Sequence, residues 1–379
     1  MSDIVLDNNQ NRILNSNGKK ARVEWVDIAK GILLYTVVIG HSVIFDSESF
    51  RLIFAFHMPA FFFLSGYTLN FEKYPNFLKF FKAKFKQLII PYFVVSLLGL
   101  VQAYFIPIGA MNRENLLANY KTHLLNMFYM AQPTHSYVGP SWFLVALFFA
   151  SIFLYILEKL TKKLNVGLKL FVYTLVYFAG INIFTIYSKL INAGLIIKPD
   201  IFTRFPFKTD AALVATMFLA LGLYVKKYRL LDNVKKQNVL ISFLFMFAML
   251  YICSLKLNNT YINLCDCTYG DPILYMLGAI GGTLATCCFS ILINKNKLLS
   301  YIGRYSLIFF LSHSLIHQVV IDTINKIFNT NFASMGMTNF QALIVGTVSF
   351  FVNVLFVVLF VKIKQLIKKK TAKKEKING

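Results

Sequence analysis

A lysine and a histidine stand eleven positions apart in "WVDIAKGILLYTVVIGH" (residues 25–41), a stretch otherwise suited to hydrocarbon. Ionisable side chains within an apolar helix are costly, so Lys30 and His41 read first as functional. Eleven residues of helix advance about 16 Å and return to within about 20° of the starting direction. The two side chains therefore share one helix face, roughly half a bilayer apart. Such a pair can grip one elongated ligand by both ends. The cation holds an anionic head, and the imidazole exchanges protons near neutral pH at the reacting end.

Other polar residues fall at comparable depth. His57 lies in "FHMPAFFFLSGY" (56–67), about two turns from the end of its helix, followed by Pro59 and the small pair Ser65–Gly66. Trp142 opens the apolar run "SWFLVALFF", Asp210 opens another, and His313 sits inside "GRYSLIFFLSHSLIHQ" (303–318). The remaining histidines are His123 and His135, in a loop over 108–140, and His317, near a helix end. Plainer roles exist for each of these residues. Lys30 can snorkel from a helix end, Trp142 can belong to an interfacial belt, and Asp210 can cap its helix. His57 can bond a backbone carbonyl as a packing residue. His41 is set apart by same-face Lys30 and depth-matched His57.

The elements that must position these groups are membrane helices. Of the 379 residues, 57% are hydrophobic and only 15% charged, and mean hydropathy is +0.60. A soluble chain carries about 25% charged residues. Ten apolar stretches are long enough to cross a bilayer: 28–46, 51–70, 88–107, 141–157, 168–187, 210–225, 238–256, 272–294, 305–322 and 340–361. The expected fold is all-α and polytopic, with about ten transmembrane helices. A polar tail (1–22), expected to be disordered, precedes a membrane domain (23–363), and a basic tail (364–379) follows it. No secretory leader is evident.

With the N-terminus inside, 30 of the 39 basic residues fall in inner segments, which places both termini in the cytoplasm. The net charge of +23 thus marks topology and contact with anionic lipid, and nucleic acid is not an expected partner. On this topology the histidines converge on the outer half of the bundle. The inner mouth is basic. Cys265 and Cys267, one residue apart, are poorly spaced for a disulfide, and no Cys/His pattern suggests a metal.

The ordered set "WVDIAKGILLYTVVIGH", "AFHMPAFFFLSGY", "KFKQLIIPY" (84–92), "SWFLVALFF" and "LLSYIGRYSLIFFLSHSLI" resembles the membrane acyltransferase-3 family, over about Val23 to Val361. It looks closest to the fucose 4-O-acetylase-like branch, which includes capsule and exopolysaccharide O-acetyltransferases. The resemblance implies that Lys30 and His41 mark the active site. The family more often has arginine at the first position; lysine keeps the charge and loses the planar fork. Gln87 stands where a basic residue is common, with Lys82, Lys84 and Lys86 beside it.

The resemblance implies acetyl-CoA as donor, taken from the cytoplasm, with no bound cofactor or metal. Lys30, Lys84 and Lys86 would meet its phosphates. The acceptor would be a sugar hydroxyl of a cell-surface or lipid-linked glycan. His41 would act as general base or carry the acyl group covalently. His57 and Ser65 would orient His41 or stabilise the oxyanion, and Trp142, Asp210 and His313 would shape the acceptor pocket. The expected location is a plasma membrane, the inner membrane in a bacterium. A secondary transporter is the alternative, although the halves show no repeat. A glycosyltransferase would want an acidic pair in a large outer loop, and 108–140 has only Glu114.

Overall fold

The computed structural model describes residues 5–7, 12–14, 23–105, 113–118, 120–129, 139–194, 206–232 and 234–378. Within the N-terminal tail, Val5–Asp7 (β1) pairs antiparallel with Arg12–Leu14 (β2), so these six residues are ordered against the expectation of a disordered tail. The rest of 1–22, and His135, lie outside the described residues, as does the side chain of His123.

Apart from two isolated bridges, the other regular elements among the described residues are helical. The helices are Glu24–Gly40 (α1), Glu48–Thr68 (α2), Phe77–Lys84 (α3), Ile90–Phe105 (α4), Arg113–Ala118 (α5), Tyr120–Tyr129 (α6) and Trp142–Leu160 (α7). They continue with Val166–Asn192 (α8), Thr209–Lys227 (α9), Lys236–Tyr251 (α10), Pro272–Ile293 (α11), Lys297–Arg304 (α12), Ser306–Phe328 (α13) and Asn339–Asn378 (α14). Nine helical segments among the described residues are long and apolar enough to cross a membrane. The protein is an all-α polytopic membrane protein. α1, of 17 residues, packs against α2, α11, α12, α13 and α14.

Three boundaries differ from those expected. The first apolar stretch ends as helix at Gly40 rather than running to 46, because the segment before α14 captures the chain there. Val43 forms a parallel bridge with Met337, and Ile44 N–H donates to Met337 O at 2.9 Å. The third begins eleven residues early, since α3 joins α4 through a π-turn, Phe85–Ile89. Pro91 follows that turn and lacks an N–H, so the wider turn absorbs the missing helical bond. The basic tail is not separate: α14 continues through it to Asn378.

α2 lies at the centre, in contact with α1, α9 and α11. Its crossing with α9 is backbone on backbone. A Cβ on Gly66 would fall on the Leu219 carbonyl, and one on Gly222 would fall on the Phe63 carbonyl. Small residues allow this close approach, which dispersion then rewards in an apolar solvent. The far end of the bundle is tied by Glu158 of α7. It accepts from Lys169 Nζ at 3.0 Å, from Tyr224 Oη at 2.6 Å and from Tyr173 Oη, joining α7, α8 and α9.

Candidate active site

The end of α1 sets the site. His41 is the C-cap, with its N–H donating to Val37 O at 3.0 Å. Its carbonyl accepts from Met335 N–H and from Ser334 Oγ, both at 2.9 Å. The backbone is thus fixed from both sides, while among the described residues no hydrogen bond is made by the half-buried ring, which packs against Phe54 and His313.

Three further imidazoles surround it. His57 is buried on α2, and its Nδ1 lies 2.8 Å from Ile53 O. A carbonyl only accepts, so Nδ1 carries the proton and Nε2 is left basic. Phe54 packs edge-on against both rings, its centroid 6.3 Å from His41 and 4.8 Å from His57. His313 on α13 is 1% exposed, and its ring lies 5.4 Å from that of His41. Its Nδ1 donates to Phe310 O at 2.5 Å, and its Nε2 has no partner. His317, one turn further, lies 2.9 Å from Ser349 Oγ through Nδ1 and 3.3 Å from Ser42 Oγ through Nε2. Ser42 spends its hydroxyl proton on Val38 O, so His317 donates to Ser42 and accepts from Ser349.

Four of the six histidines therefore meet at one end of α1. Among the described residues, no carboxylate hydrogen-bonds to any of them, and no group of three or more His, Cys, Asp or Glu is placed to hold a metal. The site offers uncharged bases in an apolar surrounding. That suits proton removal from a weakly acidic group such as an alcohol.

The other residues singled out in the sequence occupy different places. Lys30 is half-buried about 16 Å along α1, next to Gly31, which packs on Leu299 of α12. Lys84, half-buried, closes α3 with its Nζ 5.9 Å from the Phe80 ring, and Lys86 is exposed on the π-turn. Both belong to a segment packed on α7. Ser65 lies two turns along α2 from His57 and donates to Phe61 O at 2.8 Å. Trp142 is buried beside Phe143, whose ring is 5.3 Å from Phe310, next to His313. Asp210 is buried at the start of α9. One of its oxygens accepts from Ala211 N–H at 2.7 Å and the other has no partner.

Two features escape sequence reasoning. His317, expected near a helix end, lies in the middle of α13 and joins the cluster; the signal was its four-residue spacing from His313, which puts both on one face. Lys208, fully buried, donates to Cys265 O at 3.0 Å with its Nζ 6.0 Å from the Trp142 ring. Only its nearness to Asp210 in "FKTD" hinted at it.

The fold and site define a polytopic helical membrane protein with a cluster of imidazoles at the end of its first long helix. The chain matches an acyltransferase domain, the acyltransferase-3 family, over residues 23–362 and belongs to that family. It is a membrane acyltransferase. No curated protein and no solved structure matches it.

Proposed function

We propose that the protein moves an acetyl or other short acyl group from cytoplasmic acyl-CoA to a sugar hydroxyl of a cell-surface or lipid-linked glycan, as an enzyme of the fucose 4-O-acetylase-like branch would. The observation that carries this reading is the imidazole cluster around His41, with Lys30 on the same helix at the opposite end. CoA is long, anionic at one end and reactive at the other. Lys30, with Lys84 and Lys86 contributing to the field, would attract its phosphates. The pantetheine arm would follow α1 towards His41.

The acceptor hydroxyl gives its proton to a ring nitrogen of His41 as its oxygen attacks the thioester carbon. The tetrahedral intermediate then collapses to the ester, and the departing sulfur takes the proton back. His57 supplies a second fixed imidazole beside the reacting atoms. Trp142 and Asp210 border the acceptor side.

The test is proton NMR of surface polysaccharide from a strain lacking the protein. O-acetyl methyl signals, removable by mild alkali, are expected to vanish on deletion and return with the intact protein. Unchanged signals in a strain that normally expresses it would overturn the acetyl–glycan assignment. Lys30→Gln is expected to raise KM for acyl-CoA by about tenfold or more, the loss of one charge-assisted contact. Lys30→Arg is expected to restore it. Steady-state kinetics in detergent micelles reads both; an unchanged KM in Lys30→Gln would remove Lys30 from the donor site.

A further inference from the structure

General-base histidines in hydrolases and transferases are commonly held by a carboxylate that accepts the hydrogen bond from the far side of the ring. None is present here among the described residues, yet His41 needs an acceptor when it becomes an imidazolium. The structure contains one unused acceptor beside it. His313 Nε2 is buried, has no hydrogen-bond partner and must be unprotonated, because the Nδ1 proton is committed to Phe310 O. Leaving such an atom unsatisfied is costly, so it marks a place where a donor belongs.

The spacing suits that donor. An N–H···N bond of about 3 Å between two imidazoles puts their centroids a little over about 5 Å apart, and the His41 and His313 rings stand at 5.4 Å. His57 also has a fixed tautomer, but among the described ring contacts it packs on Phe54, whereas His313 packs on His41 itself. His317 has both nitrogens occupied by Ser349 and Ser42. It braces α13 and the end of α1 instead.

We infer that His41 and His313 form a neutral histidine–histidine dyad, in which His313 Nε2 accepts the N–H of His41 and so orients and strengthens His41 as the base. This rests on the acyl-transfer reading and adds a positioning residue to it. The proton balance is simple. Neutral His41 keeps its own proton directed at His313, receives the acceptor's proton on its other nitrogen, and returns that proton to the leaving thiolate. His313 gains and loses nothing.

The experiment compares wild type, His313→Phe and His313→Gln, each purified at full length in detergent micelles. Phenylalanine keeps a ring and removes the acceptor; glutamine returns an amide oxygen near the position of Nε2. His313→Phe is expected to lower kcat about 100-fold with KM for donor and acceptor nearly unchanged, and glutamine to recover most of the loss. A second readout needs no acyl acceptor. The rate at which diethyl pyrocarbonate modifies His41, followed by peptide mass spectrometry, should fall in His313→Phe and recover in His313→Gln. Equal His41 labelling rates in all three proteins would overturn the dyad, as would a rise in KM at constant kcat. Labelling that follows the expected order in a wild-type protein without acyltransferase activity would uphold the dyad and defeat the proposed reaction.

Discussion

His41→Ala is expected to abolish acyl transfer while leaving the protein in the membrane in normal amount. General-base catalysis contributes about 10²–10⁴-fold, so kcat should fall at least that far. KM for acyl-CoA should change little, since its anionic end is proposed to meet Lys30, about three turns away along α1. The folded state should survive because the structural work of this residue is done by its backbone. The carbonyl bonded to Met335 and Ser334, and the N–H bonded to Val37, are equally present in alanine. The ring is half-buried, and among the described residues the one group paired with it is His313 Nε2, through the inferred dyad, so its removal leaves a single buried acceptor unpaired and no charge. The measurement is acyl transfer by purified protein, with thermal melting as the control for folding. Activity within tenfold of wild type in a normally folded His41→Ala protein would show that another group takes the proton.

The placement of Lys30 and His41 along one helix was readable from sequence for a physical reason. Hydrocarbon tolerates only backbones that satisfy their own hydrogen bonds, so apolar length maps directly onto helices. An eleven-residue spacing is fixed by helix geometry alone, which made Lys30 and His41 a pair before any tertiary contact was known. Inter-helix contacts carry no such period. His41 and His313 are 272 positions apart, and their meeting depends on how α1 and α13 pack beside α14. The end of α1 was also misplaced, since hydropathy continues through Val43 and Ile44 while the backbone there pairs with residues around Met337. That pairing is what presents His41 at a helix terminus, with a free ring, instead of in mid-helix. Lys208 was invisible because its burial comes from Cys265 and Trp142, which lie 57 and 66 positions away in opposite directions.

Gly222→Val is the substitution expected to cost the fold most. Ordinary overpacking of a core costs about 1–3 kcal/mol because side chains shift to make room. At Gly222 the obstacle is backbone: the Phe63 carbonyl and the Tyr67 nitrogen of α2 occupy the space a Cβ needs. Gly66 meets the Leu219 carbonyl of α9 in the same way, so neither helix can yield by a rotamer change. The helices must separate, and α2 is the element that places His57 beside Phe54 and His41. Gly222→Val should therefore lose both the monodisperse folded protein, read by size-exclusion chromatography and thermal melting in detergent, and acyl transfer. Gly167→Ala is the matched control. A Cβ there lies 3.5 Å from the Asn165 side chain, an ordinary contact, and the variant should melt as wild type. A Gly222→Val protein that melts with wild type would mean that α2 and α9 do not cross at backbone contact. His57 would then owe its place in the cluster to the packing of α2 on α1 and α11 alone.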